Sequence, residues 1–376
     1  MPRPLTRALS SDLDALRSKD LYRSLPGDNS GLVDLCSNDY LGLSDHPGLR
    51  KALSKALERL PLGSTGSRLV RGDHPAFRRA EERFARFKGA EAALLFSSGY
   101  LANLGLLPAL AGPGDIVFSD ELNHASLIDG MRLSGADKTV YPHLDIAALE
   151  RALKKAPKAG RRLIVTESLF SMEGDIAPLR LLSELAEEHE ALLIVDEAHA
   201  GGVYGPRGSG LLEEQGVLSP VVSVNTCGKA LGLAGAAVCG PREVIDLLIN
   251  RSRSFIFSTA MPPFMAEGLV ASVDLAERAK GMREKLLSLS REARAILAKA
   301  GLPLKGDRSQ ILPILVGKSR AALGAAQALR SAGFDIRAIR PPTVPEGTAR
   351  LRMTLTLRLD AETIEKAASA LKRALA

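Results

Sequence analysis

No apolar run in the chain reaches the ~18 residues that a bilayer-spanning helix requires. The opening stretch MPRPLTRALSSDLDALRSKD lacks the apolar core and cleavage site of a secretory signal. Cysteine is scarce: Cys36, Cys227 and Cys239 fit neither a disulfide framework nor a zinc-ligand spacing, and no metal site is expected. A reducing, cytoplasmic setting is the expected compartment. Internal repeats and low-complexity segments are missing too. The net charge is +7, yet the basic residues are scattered rather than blocked. A nucleic-acid-binding stripe is therefore not expected, and the mild excess suits an anionic small molecule or an acidic carrier.

What is present is an ordinary globular composition, 45% hydrophobic and 25% charged over 376 residues, long enough for two or three domains. Residues 1–43 read as an N-terminal helix (to about residue 25), the turn-rich link SLPGDNSG and an extended segment. Residues 44–270 read as a large domain, and 271–376 as a smaller α+β domain. In the large domain helical stretches such as HPAFRRAEERFARFKG alternate with short apolar runs: AALLFSS, DIVFSD, KTVYPH, RLIVTES, ALLIVDEA, VVSVNT and AAVCG. Runs that are apolar throughout predict strands buried on both faces, in a mostly parallel sheet between helices. After about residue 265 comes AEGLVASVDLAERAKGMREKLLSLSREARAILAKAG, a long helical stretch. SQILPILVG, a helix near 320–332, FDIRAI, ARLRMTLT and a last helix near 361–375 follow.

The stretch LLIVDEAHAGGVYG contains Asp196-Glu197-Ala198-His199, the letters of a helicase metal-and-ATP box. That chemistry needs a phosphate loop, G-x-x-x-x-G-K-[ST], ahead of the box. The one Gly-Lys-Ser here is Gly317-Lys318-Ser319, well after it, and the first glycine is replaced by Leu312. The nucleotide reading fails for want of that part.

Asp196 closes an apolar run, so it stands at the C-terminal end of a buried strand, where open α/β sheets bind ligands. Taken alone it could equally cap the next turn. A carboxylate in low dielectric calls for a cationic partner. About thirty residues on, VVSVNTCGKALGLAGAAV ends a strand at Thr226 and places Lys229 among small and apolar residues, where lost solvation favours a free amine. Gly228, Gly232 and Gly235 let the backbone pass close to a bulky ligand. A nucleophilic lysine together with an aspartate for a pyridinium nitrogen is the pattern of pyridoxal phosphate (PLP) chemistry. It asks for further parts. FSSGYLANLG puts Gly99 and Tyr100 at a strand-to-helix junction, whose free N–H groups suit a phosphate. SDELNHASLIDG supplies His124, which could cover the ring or merely cap the helix at 125. TESLFSMEGD supplies Ser171 for the cofactor's polar edge.

CSNDYLGL, GSTGSRLVRGDH, LFSSGYLAN, NHASLIDG, TESLFSMEGD, VDEAHAGGVYG, TCGKALG and FIFSTAMPP, in this order, resemble the successive motifs of the α-oxoamine synthases from about residue 12 onward. These are PLP-dependent transferases of fold type I that condense an amino acid with an acyl thioester and release CO2. The resemblance implies a large domain with a mostly parallel seven-stranded sheet between helices and a smaller C-terminal α+β domain. It also implies roles. Lys229 would carry the cofactor and move the Cα proton, Asp196 would pair with the ring nitrogen, and His199 would hydrogen-bond the phenolic oxygen. His124 would stack on the ring and help bind substrate. Gly99, Tyr100 and Thr226 would serve the phosphate and nearby atoms, and Ser171 would complete the shell. Ser258 and Thr259 would reach the phosphate of the other subunit, which implies a homodimer. Arg23 would contact the acyl substrate, Thr343 would be a substrate contact, and Arg352 would hold the amino-acid carboxylate as a bidentate fork.

Within the family, AIRPPTVPEGTARLRMTLT is most similar to the branch that joins L-alanine to a pimeloyl thioester on coenzyme A or acyl carrier protein. The alternatives are the glycine-using sister enzymes, glycine C-acetyltransferase and 5-aminolevulinate synthase, and a PLP-binding transcription regulator. The regulator would need a DNA-reading module, and only about thirty residues precede SNDYLGL. Three features depart from the family pattern: Cys227 before Gly228-Lys229, a short link from Arg23 to SNDYLGL, and LRLDAET after Thr356, where relatives often carry a histidine.

Overall fold

The computed structural model describes residues 4–25, 27, 29–157, 159–217, 220–302, 304 and 308–376. The first three residues of the expected N-terminal helix, and Pro26 and Asp28 of the link after it, lie outside this set. The strands in chain order are β1 (Val33–Asp34), β2 (Ala92–Phe96), β3 (Ile116–Asp120), β4 (Asp137–Tyr141), β5 (Arg162–Glu167) and β6 (Ala191–Asp196). They continue with β7 (Val221–Thr226), β8 (Ala236–Gly240), β9 (Ile311–Gly317), β10 (Phe334–Asp335), β11 (Ala338–Ile339) and β12 (Ala349–Thr354). By contact the chain divides into a larger unit, Asn38–Ser171 with Asp175–Leu286, and a smaller one, Met1–Ser37 with Met172–Gly174 and Leu287–Ala376.

In the larger unit seven strands form one sheet in the order β2-β8-β7-β6-β5-β3-β4. The pairs β3–β4, β3–β5, β5–β6 and β6–β7 are parallel; β8 is antiparallel to both its neighbours. All seven coincide with the apolar runs of the sequence. The centre behaves as those runs predict: Val165, Ile194, Val195, Val222 and Val224 are fully buried. Each such side chain contributes roughly 1.5–3 kcal/mol through burial. The expectation of burial on both faces fails at β4, where Asp137, Lys138 and Val140 are exposed. This strand ends the sheet, and its charged residues keep the open edge from pairing with another chain.

The helix Pro75–Lys88 covers part of the sheet. His74 accepts the N–H of Ala76 at its start, Pro75 fills the first position, and Gly89 closes it at φ 65, a left-handed conformation that favours glycine. Its apolar stripe (Phe77, Ala80, Phe84, Phe87) is buried. The long helical stretch after residue 262 is two helices, Pro263–Arg278 and Lys280–Lys299, broken at Ala279.

The smaller unit holds the antiparallel sheet β11-β12-β9 and the short parallel pair β1–β10. Helices Pro4–Ser18, Ser319–Ser331 and Ala361–Leu375 belong to it. FDIRAI is thus two two-residue strands, not one. Among the described residues no helix is long and apolar enough to cross a membrane.

Candidate cofactor and active site

The register of the large sheet collects the candidate residues at one edge. Strands β3, β5, β6 and β7 are parallel neighbours, and their C-terminal ends lead to His124, Ser171, Asp196, and Thr226 with Lys229 respectively. Phe96 at the end of β2 and Thr226 at the end of β7 both pair with Ala236, so the helix after β2 starts at the same edge. That helix, Gly99–Leu110, is capped by Ser98, whose Oγ accepts the N–H of Leu101 at 3.2 Å. A Cβ on Gly99 would meet Thr226 Cγ2 at 2.4 Å, so only glycine lets the helix N-terminus approach β7 this closely.

Lys229 is half-buried, and its Nζ lies 2.8 Å from His199 Nε2. The other ring nitrogen, Nδ1, is held by a short hydrogen bond to the hydroxyl of fully buried Tyr40. Thr226 Oγ1 donates to the Ala198 carbonyl at 3.3 Å, fastening the Lys229 loop to the Asp196–His199 turn. Cys227, the departure before Gly228-Lys229, is fully buried, and burial pushes its thiol well up, so it packs and does not react.

Asp196 is 6% exposed. Oδ2 accepts from Asn103 Nδ2 at 2.7 Å and Oδ1 from the Ala198 N–H at 2.9 Å. Both donors are neutral, and among the described residues Asp196 makes no ion pair. A buried carboxylate without a cation is an unfinished arrangement that a pyridinium N–H completes. His124 caps the helix Ala125–Ser134: its Nδ1 accepts the Ser126 N–H at 3.2 Å. The capping reading and the functional one thus describe the same side chain. Burial pushes the His124 imidazole down, Asp196 opposes that, Lys229 reinforces it, and Asp129 opposes. Tyr100 meets the His124 ring edge-on at 6.3 Å between centroids and bonds Asp129 through its hydroxyl.

Ser171 is buried in the loop after β5, whose ends are tied by the Phe170 N–H to the Asp175 carbonyl at 3.0 Å. Ser258 and Thr259 lie apart from this network. They line a cleft with Arg68, Phe77, Phe96 and Ser97, and neither makes a hydrogen bond among the described residues. In the smaller unit, Arg23 Nη2 donates to the Pro341 carbonyl at 2.8 Å, beside the exposed turn that carries Thr343. Arg352 is 8% exposed on β12, with Nη1 donating to Thr354 Oγ1 at 3.2 Å.

Three residues of the network, Tyr40, Asn103 and Ser126, gave no functional signal in the sequence. Tyr40 stands in CSNDYLGL, and Asn103 follows Gly99 by one helical turn on a face otherwise made of Ala102, Leu106 and Leu107. A polar side chain on that buried stripe was the available sign for Asn103.

His143 fastens the loops that carry His124 and Ser171. Nδ1 bonds Asp120 Oδ1 at 2.8 Å, Nε2 bonds Asp175 Oδ2 at 3.1 Å, and the ring meets Phe170 edge-on at 4.4 Å. Glu121 accepts its backbone N–H at 2.9 Å. Burial opposes the charge on this ring, but the bonds to Asp120 and Asp175 and their charges outweigh it and raise the pKa to about 10. The unfolded value is ~6.5, so the stabilisation is complete below about pH 6.5 and is lost as pH rises towards 10. The difference in Tm between the wild type and His143→Gln should therefore be widest near pH 6 and close by about pH 10. A gap that stays constant over that range would refute the doubly paired imidazolium.

The set fits PLP. Lys229 supplies an amine, Asp196 a buried carboxylate lacking a cation, His124 a ring beside them, and Gly99 and Tyr100 the N-terminal amides of a helix for the phosphate. The comparisons agree. The profile of the class I and II aminotransferases matches residues 30–371. The 8-amino-7-oxononanoate synthase of Geobacter sulfurreducens is 46% identical, covering 98% of each chain. That of Anaeromyxobacter dehalogenans is also 46% identical, over 98% of this chain and 95% of its own. An SPT solved with its PLP internal aldimine superposes with a TM-score of 0.91 at 28% identity, covering 99% of this chain and 98% of the other. The 8-amino-7-oxononanoate synthase of Francisella tularensis superposes with a TM-score of 0.80 at 28% identity, over 92% and 98%.

Proposed function

The chain belongs to the class I and II aminotransferase family, among the PLP-dependent 8-amino-7-oxononanoate synthases, and on that premise we propose that it joins L-alanine to a pimeloyl thioester. The thioester is carried on coenzyme A or acyl carrier protein. The products are 8-amino-7-oxononanoate, CO2 and the free thiol, a step of biotin biosynthesis. What supports the reading most is the end-to-end identity of 46% with synthases named for this product.

PLP bound at this edge of the sheet supplies an electron sink for the carbanion at the alanine Cα. Asp196 would hold a proton at the ring nitrogen, and its burial beside neutral donors keeps that charge pairing strong. His199, oriented by Tyr40, would bond the phenolic oxygen. His124 would stack on the ring, and Gly99, Tyr100, Thr226 and Ser171 would complete the phosphate and edge contacts. Lys229 would anchor the cofactor at rest, take the Cα proton once the substrate amine displaces it, and return a proton to that carbon after CO2 has left. The carbon–carbon bond forms as the thiolate departs. Arg352 would hold the alanine carboxylate, and Arg23 and Thr343 the acyl chain. Ser258 and Thr259, without a hydrogen bond among the described residues, would complete the partner subunit's phosphate site, so the enzyme would act as a homodimer.

The test is an assay of alanine and glycine, each against pimeloyl-, acetyl- and succinyl-CoA. One methyl group discriminates by about 10–200-fold, so kcat/KM for alanine with pimeloyl-CoA should lead glycine by at least about tenfold. A preference for glycine with acetyl- or succinyl-CoA would make it a sister enzyme instead.

A further inference from the structure

We infer that Asn103 and Ser126 join Asp196 to His124 in one hydrogen-bonded line that holds the His124 imidazole neutral, with its proton on Nε2. The inference rests on the cofactor reading above for its catalytic meaning, but its geometry belongs to the protein alone.

Asn103 is 1% exposed, a polar side chain among buried leucines and alanines of the helix Gly99–Leu110. Such a group is costly unless it is bonded. Its Nδ2 carries two N–H groups. One reaches Asp196 Oδ2 at 2.7 Å, the other Ser126 Oγ at 2.9 Å. The ionised carboxylate only accepts, so the amide is fixed in this orientation. The price is visible at the other end: Asn103 Oδ1 is buried with no partner among the described residues. Flipping the amide would set that oxygen against a carboxylate. The preference for the observed orientation therefore shows what the side chain is for: it donates twice.

The direction of the remaining bonds follows. Ser126 Oγ accepts from Asn103, so its own proton turns to His124 Nδ1, 2.7 Å away. The Ser126 backbone N–H donates to the same nitrogen at 3.2 Å. With two donors aimed at it, Nδ1 keeps its lone pair, and the neutral ring carries its hydrogen on Nε2. Donors on Nδ1 also resist a second proton. The charged groups around the ring are Asp196 and Asp129, which favour the imidazolium, and Lys229, which opposes it; burial acts with Lys229 and prevails. The outcome is a flat neutral ring with one outward donor, suited to lie on a protonated pyridine without repelling it and to offer Nε2–H to a substrate oxygen. Asn103 and Ser126 touch neither and act through His124 and Asp196, as positioning residues.

The readout is nitrogen NMR of the PLP-loaded enzyme labelled with 15N-histidine, repeated without PLP. The chain has six histidines, and His124 is assigned by the signal lost in His124→Asn. At about pH 7 the wild type should show His124 Nδ1 bare and Nε2 protonated. Asn103→Leu and Ser126→Ala should each raise the His124 titration midpoint, Ser126→Ala by about one pH unit, comparable to one net hydrogen bond. Because one path from Asn103 to His124 runs through Ser126, the double variant should shift by less than the sum of the two single shifts. A proton on Nδ1 in the wild type, unchanged midpoints, or additive shifts would overturn the inference. The wild-type measurement decides even if a variant fails to fold. Failure of the cofactor reading is seen separately, as no visible absorbance on adding PLP.

Discussion

Lys229→Ala should lower kcat by on the order of 10⁴-fold or more and remove the visible absorbance that PLP gives the wild type. Two functions vanish with one amine: the covalent hold on the cofactor and the base for the Cα proton. General-base removal alone is worth about 10²–10⁴-fold, and loss of the activated nucleophile adds to it. Structure should survive the change. Lys229 is half-buried, and the exchange gives up its bond to His199 Nε2 at 2.8 Å. One such bond contributes about 1 kcal/mol net, so Tm should move by only a few degrees. Added small primary amines should restore part of the rate, since they return a base where the side chain stood. A variant that keeps a tenth of the activity, or keeps the absorbance, would remove Lys229 from the chemistry. His199→Asn should be milder, because the amine remains, although the imidazole's bonds to Lys229 and to the Tyr40 hydroxyl are lost.

The parts of this site that the sequence displayed are those set by local pattern. Asp196 and Thr226 end short apolar runs that read as buried strands, and their positions at the edge of the sheet follow from alternation with helices. Lys229 was visible because a lysine among glycines and apolar residues is out of place on an ordinary surface. The helices near 320–332 and 361–375 were visible by period, and they stand at Ser319–Ser331 and Ala361–Leu375. The support for the site was hidden because it is made by contact between distant segments. Tyr40 and His199 are 159 residues apart, and Asn103 and Asp196 are 93 apart. Nothing in the spacing of either pair encodes the meeting; it is made where the turn at Tyr40 and the helix Gly99–Leu110 fold onto the end of β6. The exposed β4 was misread for a related reason. KTVYPH is similar in composition to the central runs, and only its place at the end of the order β2-β8-β7-β6-β5-β3-β4 exposes it.

Glu197, the second letter of the motif that first suggested a nucleotide box, should prove costly to remove. It is fully buried and paired with Lys88, 3% exposed, which also donates to the Ser209 carbonyl. Its Oε1 accepts the Leu212 N–H at 3.0 Å. A Cβ on Gly210 would come within 2.5 Å of the carboxylate, and Gly210 has φ +135, so the loop is shaped to receive this group. Glu197→Ala leaves a buried ammonium without its partner, which costs roughly 3–5 kcal/mol. A drop in Tm of about 4–6 °C follows. The pair itself need not be net stabilising, because desolvating two charges offsets most of their attraction. Hence the double variant Lys88→Met with Glu197→Leu should recover much of the loss, retaining mainly the deficit of the unpaired Leu212 N–H, about 1–3 kcal/mol. If the double variant is as unstable as Glu197→Ala, the ion pair is not what holds the turn. Glu197 also sits between Asp196 and His199 in the chain. Its carbonyl accepts the N–H groups of Ala200 and Gly201 at 3.0 and 2.9 Å, so the turn that aims His199 at Lys229 is built on this residue. That carbonyl belongs to the backbone and survives Glu197→Ala, so PLP binding should weaken only in step with the loss of stability, and the double variant should restore both together.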